Sequence, residues 1–185
     1  MIRATRICVV FLAALAAVPV SAQSPGRSAA GRLIAQLRRQ VSIITRETAS
    51  YNKVTADADS LGIERRSTDG TQVEAYCKGD STRLMIVTDF GEHSSVQSRF
   101  YWWNDELFFA HIVTQRSDKL YVPPVASTEV KLYFKDAEIA PGSTIPPGPK
   151  SERAATFRRL QQDVVTEAES FFASLGGCPG GEPQP

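Results

Sequence analysis

Residues 100–113 read FYWWNDELFFAHIV, two apolar and aromatic runs separated by the short polar segment NDE. Asn and Asp tolerate the left-handed backbone conformation that tight hairpins require, so this stretch predicts two antiparallel strands joined by a turn. Because alternate residues of a strand point to opposite faces, Phe100 and Trp102 share one side, and Tyr101 and Trp103 share the other. Both faces of the hairpin are therefore apolar, and a sheet built around it needs cover on both.

The same alternation makes a prediction for the second strand of the hairpin. It divides the residues into two sets, one containing Leu107, Phe109, His111 and Val113 and the opposite one containing Phe108, Ala110 and Ile112.

The segments on either side of the hairpin also have the spacing of strands. Five strand segments are predicted, and they read QVEAYCK, TRLMIVTDF, VQSRFYWW, LFFAHIVTQ and TEVKLYFK. The turn sequences GDS, GEHSS and NDE connect the first four of them. Parallel neighbours would need a crossover of a dozen or more residues, so these short connections predict an antiparallel meander of about five strands.

Two amphipathic helices are predicted to flank the meander. In the first, a mostly apolar stripe recurs at three- and four-residue steps, at Leu33, Leu37, Val41, Ile44, Thr48 and Tyr51. The second begins near Ser151, ends at Gly176-Gly177 and carries the stripe Phe157, Leu160, Val164, Ala168, Phe171 and Leu175. The fold class is therefore α+β, with an N-terminal amphipathic helix, an antiparallel β-meander and a C-terminal helix packed on the sheet. The two helices cover one face together or one face each.

The N-terminus has the three-part pattern of a secretory signal peptide. Arg3 and Arg6 precede an uncharged apolar run, and the small residues of VSA precede Gln23, which predicts cleavage after Ala22. The run is shorter than the roughly 20 residues that span a bilayer, so we expect no membrane span after cleavage and a periplasmic or secreted location.

The remaining chain is divided by composition. Residues 23–31 are small and polar and are expected to be flexible, residues 32–175 form a single α+β domain, and residues 176–185 form a Gly/Pro-rich tail. Within the domain, the proline-rich residues 140–150 are expected to link the sheet to the last helix.

The charge and cysteine content exclude some functions. The chain has 21 Lys and Arg against 20 Asp and Glu, and the leader contributes two of the arginines and no acid. Without clustered positive charge, nucleic acid is not an expected partner. Only Cys77 and Cys178 remain after cleavage, and two thiols in an exported protein predict one disulfide.

The candidate residues for binding a ligand or partner are Tyr101, Trp102, Trp103, Phe109 and His111. The usual packing of helices on a sheet favours a core role for this aromatic layer. The alternative is a groove left open for a small apolar ligand or for side chains of a partner protein.

No catalytic, metal or cofactor site is predicted. His93 lies in the turn GEHSS and His111 between apolar residues, whereas a general base needs an orienting partner. The stretch DADSLG places Leu61 and Thr68 where a calcium loop needs an oxygen ligand and a bidentate Glu. Glycine loops that cradle phosphates are absent from the sequence.

These features favour an exported binding or inhibitor-like module, and not an enzyme, that recognises its partner through hairpin tips or an aromatic sheet face. One alternative is a carrier of a small apolar ligand or lipid between helix and sheet. The other is a small hydrolase or isomerase that uses His111 or His93 with a carboxylate.

Overall fold

A computed structural model describes residues 25–63, 67–117, 124–145, 153–176 and 178. Helix α1 (Pro25–Glu47) precedes a seven-stranded sheet, and helix α2 (Arg153–Ser174) follows it. The strands are β1 (Asn52–Asp57), β2 (Thr71–Lys78), β3 (Ser81–Gly91), β4 (Ser94–Trp103), β5 (Glu106–Arg116), β6 (Ala126–Lys135) and β7 (Glu138–Ile139). Each strand pairs antiparallel with the next along the chain, which confirms the α+β meander.

The sheet has more strands than the sequence pattern predicts. The five predicted strands are β2 to β6, and the additional ones are β1 and β7. The helical spacing continues as far as Tyr51, but α1 ends at Glu47 and a short 3-10 turn leads into β1. Pairing along the whole of β1 with β2 outweighs the local helical preference of this segment.

The first helix also begins earlier than predicted. Residues 25–31 belong to α1, although their small and polar composition predicts a flexible segment. A proline at the first helical position has its φ angle fixed for the helix, and Ala29 and Ala30 are the strongest helix formers. The leader, residues 23–24, the predicted start at Ser151 and residues 179–185 lie outside the described residues. Thr144, within the predicted linker, pairs with Lys131 of β6.

Helix α1 covers one face of the sheet by crossing the strands. Beneath it lies a row of directly opposed residues, Tyr76, Leu84, Tyr101, Phe109 and Tyr133. Arg38 donates a hydrogen bond to the Tyr133 hydroxyl of β6 over 3.4 Å. Two and a half turns later, Glu47 forms an ion pair with Lys78 at the end of β2. Leu37, next to Arg38, and Ile44, one turn before Glu47, are buried against the aromatic row.

Helix α2 covers the opposite face. Its residues Val164, Ala168 and Phe171 are buried against a second set of sheet residues, Val73, Met85, Val87, Phe100, Trp102, Ala110, Leu132 and Phe134. Phe172 stacks on Trp102 with ring centroids 5.7 Å apart. Each helix therefore covers one face, and the predicted division of Phe100 and Trp102 from Tyr101 and Trp103 is confirmed.

One predicted alternation is wrong. In the pairing of β4 with β5, Tyr101 lies opposite Phe109 and Trp102 opposite Leu107, so Phe108 is the additional residue of a bulge. The bulge reverses the faces of the first two apolar residues of β5. Leu107 packs in the α2-side core and Phe108 in the α1-side core, next to Phe109.

The two cysteines join the end of the chain to the sheet. Cys77 in β2 and Cys178 lie at disulfide distance, with Cα atoms 5.8 Å apart. Both are buried with Ala75, and the Thr82 hydroxyl lies 3.2 Å from the Cys178 sulfur. Because 101 positions separate the two residues, the bond restricts the unfolded chain strongly.

We expect reduction of this pair to lower the free energy of unfolding by about 2–4 kcal/mol, because a loop of this size gains conformational entropy when it opens. Urea unfolding with and without a phosphine reductant measures the change. A Cys77→Ala/Cys178→Ala variant is the control, since its midpoint must not respond to reductant. An unchanged wild-type midpoint, with both thiols shown to be reduced by mass spectrometry, would contradict the expectation.

Candidate functional site

The predicted binding residues have different environments. Tyr101, Trp102 and Phe109 are 3–5% exposed and belong to the two cores. Trp103 and His111 remain partly exposed. The rings of Tyr101 and Phe109 lie 5.3 Å apart, and Phe109 stacks on His111 at 6.3 Å. The aromatic layer is therefore mostly core, and only its ends reach the surface.

Trp103 has a cation on its ring. The guanidinium carbon of Arg83 lies 5.0 Å from the ring centroid, and the buried Nε and Nη1 atoms of Arg83 make no hydrogen bond. Arg83 is the additional residue where the pairing of β2 with β3 shifts between Tyr76 and Cys77. The contact with the aromatic ring compensates part of the desolvation of this cation.

A groove of 490 Å³ lies next to Trp103, at the end of the sheet where the β4–β5 turn is. Residues of both α1 and α2 line it. Two hairpin tips form its end, one at Asn104-Asp105 and the other at Asp136-Ala137. All four tip residues have φ between 52° and 61°, the conformation of a tight two-residue hairpin turn. Gln161 of α2 donates a 2.8 Å hydrogen bond to the Ala137 carbonyl, which fixes the second tip against the helix.

The groove combines an apolar floor with an acidic rim. We use the name floor for the apolar lining residues that are buried or half-buried, which are Leu33, Leu37, Trp103, Leu107, Phe108, Phe134 and Val165. The rim consists of the exposed charged residues, and within the described part of the chain these are the acids Asp105, Glu106, Asp136 and Glu169 and the cation Lys135. The volume lies within the range of ligand sites, and the lining is divided about equally between apolar and polar residues.

A network of polar side chains lies on the α1 side of the sheet, next to the aromatic row that α1 covers. Here Glu129 accepts hydrogen bonds from Lys131 at 2.8 Å and from His111 at 2.7 Å. The two residues of β6 are two positions apart on one strand, and His111 lies directly opposite Lys131. The Lys131 hydrogen bond, followed by that of His111, lowers the pKa of Glu129.

This network gives His111 the carboxylate partner that its sequence context does not reveal. The Nε2 atom of His111 contacts Glu129, whose other partner is a lysine, so the three groups satisfy one another on a sheet surface. His93 lies elsewhere, in the β3–β4 turn, with its ring 3.7 Å from Glu92. The described residues contain no group of three or more His, Cys, Asp and Glu placed to hold a metal ion.

Comparison with known proteins gives no match to a family model, a curated protein or a solved structure. Within the described ranges, neither helix is long and apolar enough to cross a membrane.

Part of the groove escapes sequence reasoning. The turn residues Asn104 and Asp105 are recognisable from their composition, but Glu169 of α2 and Gln36 of α1 have the pattern of ordinary exposed helix positions. Only the crossing of both helices near the same hairpin tips brings them together.

We expect the Lys131→Met substitution to raise the pKa of Glu129 towards its ordinary value, which ¹³C NMR titration of the carboxyl group measures. The folded pKa lies below that of the unfolded chain. The stabilisation is therefore present above the unfolded pKa of Glu and is lost as pH falls through the folded one. Lys135→Met on the same strand is the control. Equal Glu129 titration curves in wild type and Lys131→Met would refute the assigned cause.

Proposed function

We propose that this chain is an exported, non-catalytic binding module that holds a basic, partly apolar segment of a partner protein in the groove between α1 and α2. The observation that carries this proposal is the apolar floor of the groove beneath an acidic rim. The leader-like N-terminus and the Cys77–Cys178 pair support export to an oxidising compartment.

The floor supplies the affinity. Trp103 and Leu107 are partly exposed and line the groove, so an inserted Leu or Phe side chain would remove apolar surface from water on both sides. Large aromatic residues beside a groove are the usual anchoring points of protein interfaces.

The rim supplies the selectivity. Asp136 and Glu169 are exposed, and no salt bridge between them and another described residue occupies their carboxylates. Lysine or arginine residues flanking the apolar anchor would pair with them, whereas an acidic segment would be repelled. An apolar ligand without charge would use the floor alone.

A carrier of a small apolar ligand is the second candidate, because the 490 Å³ groove is large enough for one. The acidic rim favours the basic segment over this ligand. Catalysis has less support, since the His111–Glu129 pair is shared with Lys131 on a sheet surface.

Three labelled nine-residue peptides test the proposal by fluorescence anisotropy. One has Leu and Phe anchors flanked by Lys and Arg, the second replaces the anchors by Ser, and the third replaces the basic flanks by Glu. We expect the first to bind most tightly and its affinity to fall with added salt, because exposed charges are screened.

The Asp136→Asn/Glu169→Gln variant is expected to bind the first peptide about three- to tenfold more weakly, the effect of two exposed charge pairs. Glu92→Gln, at the opposite end of the sheet, is the matched control for loss of an exposed carboxylate. Equal binding of the basic and acidic peptides would reject the proposal. Binding that depends only on the Leu and Phe anchors would favour the apolar carrier instead.

A further inference from the structure

A second cavity, of 420 Å³, lies at the end of the sheet farthest from the groove. It is formed where β1 ends, β2 begins and β3 ends, beside the 3-10 turn Ala58–Leu61. In an antiparallel meander these three strand termini lie at the same end of the sheet, and the Asn104-Asp105 tip lies at the other end. The cavity is therefore separate from the groove assigned to the partner protein.

Phe90 lines this cavity with an unusually open aromatic ring. Its side chain is 41% exposed, whereas the other described aromatic side chains are buried or half-buried. The backbone beneath the ring is fixed on both sides. The Phe90 amide donates to the Gly70 carbonyl at 2.9 Å, and the Asp69 amide donates to the Phe90 carbonyl at 3.1 Å. The ring is thus a rigidly based apolar surface that faces solvent.

The remainder of the lining is polar and is partly oriented in advance. Thr71 donates its hydroxyl proton to Asp89 over 2.5 Å, and Ser60 donates to the Asp57 carbonyl over 2.6 Å. Ser60 is exposed, so the lone pairs of its hydroxyl oxygen remain available as acceptors. The Gln72 amide supplies both donors and an acceptor, and Asp69 supplies a carboxylate.

We propose that this cavity binds a neutral saccharide. A pyranose ring has one face rich in C–H groups, which can lie on the Phe90 ring, and hydroxyl groups around its edge that both donate and accept hydrogen bonds. The carboxylates and the Gln72 amide that line the cavity match that edge, and hydrogen bonds from a hydroxyl to a carboxylate are the stronger kind.

Other ligand classes fit less well. The cavity includes Asp57, Asp59 and Asp69, which oppose phosphate and other anions. These carboxylates are not grouped as metal ligands in the described part of the chain. An organic cation would pair with the carboxylates and the ring but would leave the donors of the Gln72 amide without a partner.

The test is a titration of the folded protein with maltose, cellobiose and N,N′-diacetylchitobiose, followed by amide chemical shifts. Spermidine serves as the cationic probe. We expect at least one disaccharide to bind saturably and to shift the amides of Gly70, Gln72 and Phe90, while spermidine binds no more tightly than the sugars.

Two substitutions sharpen the result. Phe90→Ala is expected to lower the affinity for the bound sugar by about tenfold or more, the loss typical of an aromatic anchor, whereas Phe90→Trp retains it. Val125→Ala removes another exposed apolar side chain and is the matched control. Because Phe90 is exposed, its removal should leave the amide spectrum of the fold intact.

The Asp136→Asn/Glu169→Gln variant should bind sugar normally, because its substitutions lie in the groove. The peptide and sugar experiments therefore test the two proposals independently. Saturable binding that is lost in Phe90→Ala supports the inference. The absence of shifts with all three sugars at 100 mM, or tighter binding of spermidine at the same amides, would overturn it.

Discussion

A sheet with two apolar faces is the constraint on which the rest of this structure depends. The β4–β5 hairpin presents Trp102 to one side and Tyr101 and Phe109 to the other, and each side is closed by its own helix. Both helices run from the β6–β7 region to β2. Helix α1 makes contacts from Tyr133 to Lys78, and α2 from Ala137 to the Cys77 cluster. The two helices therefore cover the end of the sheet that carries the aromatic residues. At the other end, the α1-side face carries charged residues such as Glu129 and Lys131.

The free energies of side-chain burial and of surface ion pairs support apolar burial as the main source of stability. Full burial of a side chain such as Phe100, Phe134 or Phe171 contributes about 1.5–3 kcal/mol each, and several such residues line both helix contacts. The ion pairs of the sheet surface, Lys53–Glu74 and Lys131–Glu129, involve partly exposed groups that water and salt screen. Apolar burial together with the cysteine pair therefore contributes more to stability than these surface charges do.

Much of this arrangement is readable from the sequence, because it follows from local periodicity. The strands β2 to β6, the NDE turn, the stripes of both helices and the two opposed tryptophans all follow from spacing alone. Two of the errors occur where a long-range contact decides. Strand β1 forms because it pairs with β2, and Phe108 changes face because β4 and β5 shift register. The groove and the Phe90 cavity combine residues from distant elements, which no local pattern reports.

The most direct measurement of the central claim uses the two tryptophans as separate reporters of the two faces. In a Trp103→Phe background, emission of Trp102 should shift to the red and become accessible to acrylamide when Phe172→Ala opens the α2 side, and Leu37→Ala should leave it unchanged. In a Trp102→Phe background, Leu37→Ala on α1 should alter Trp103, and Phe172→Ala should not. If either helix substitution changed both tryptophans equally, the assignment of one helix to each face would be wrong.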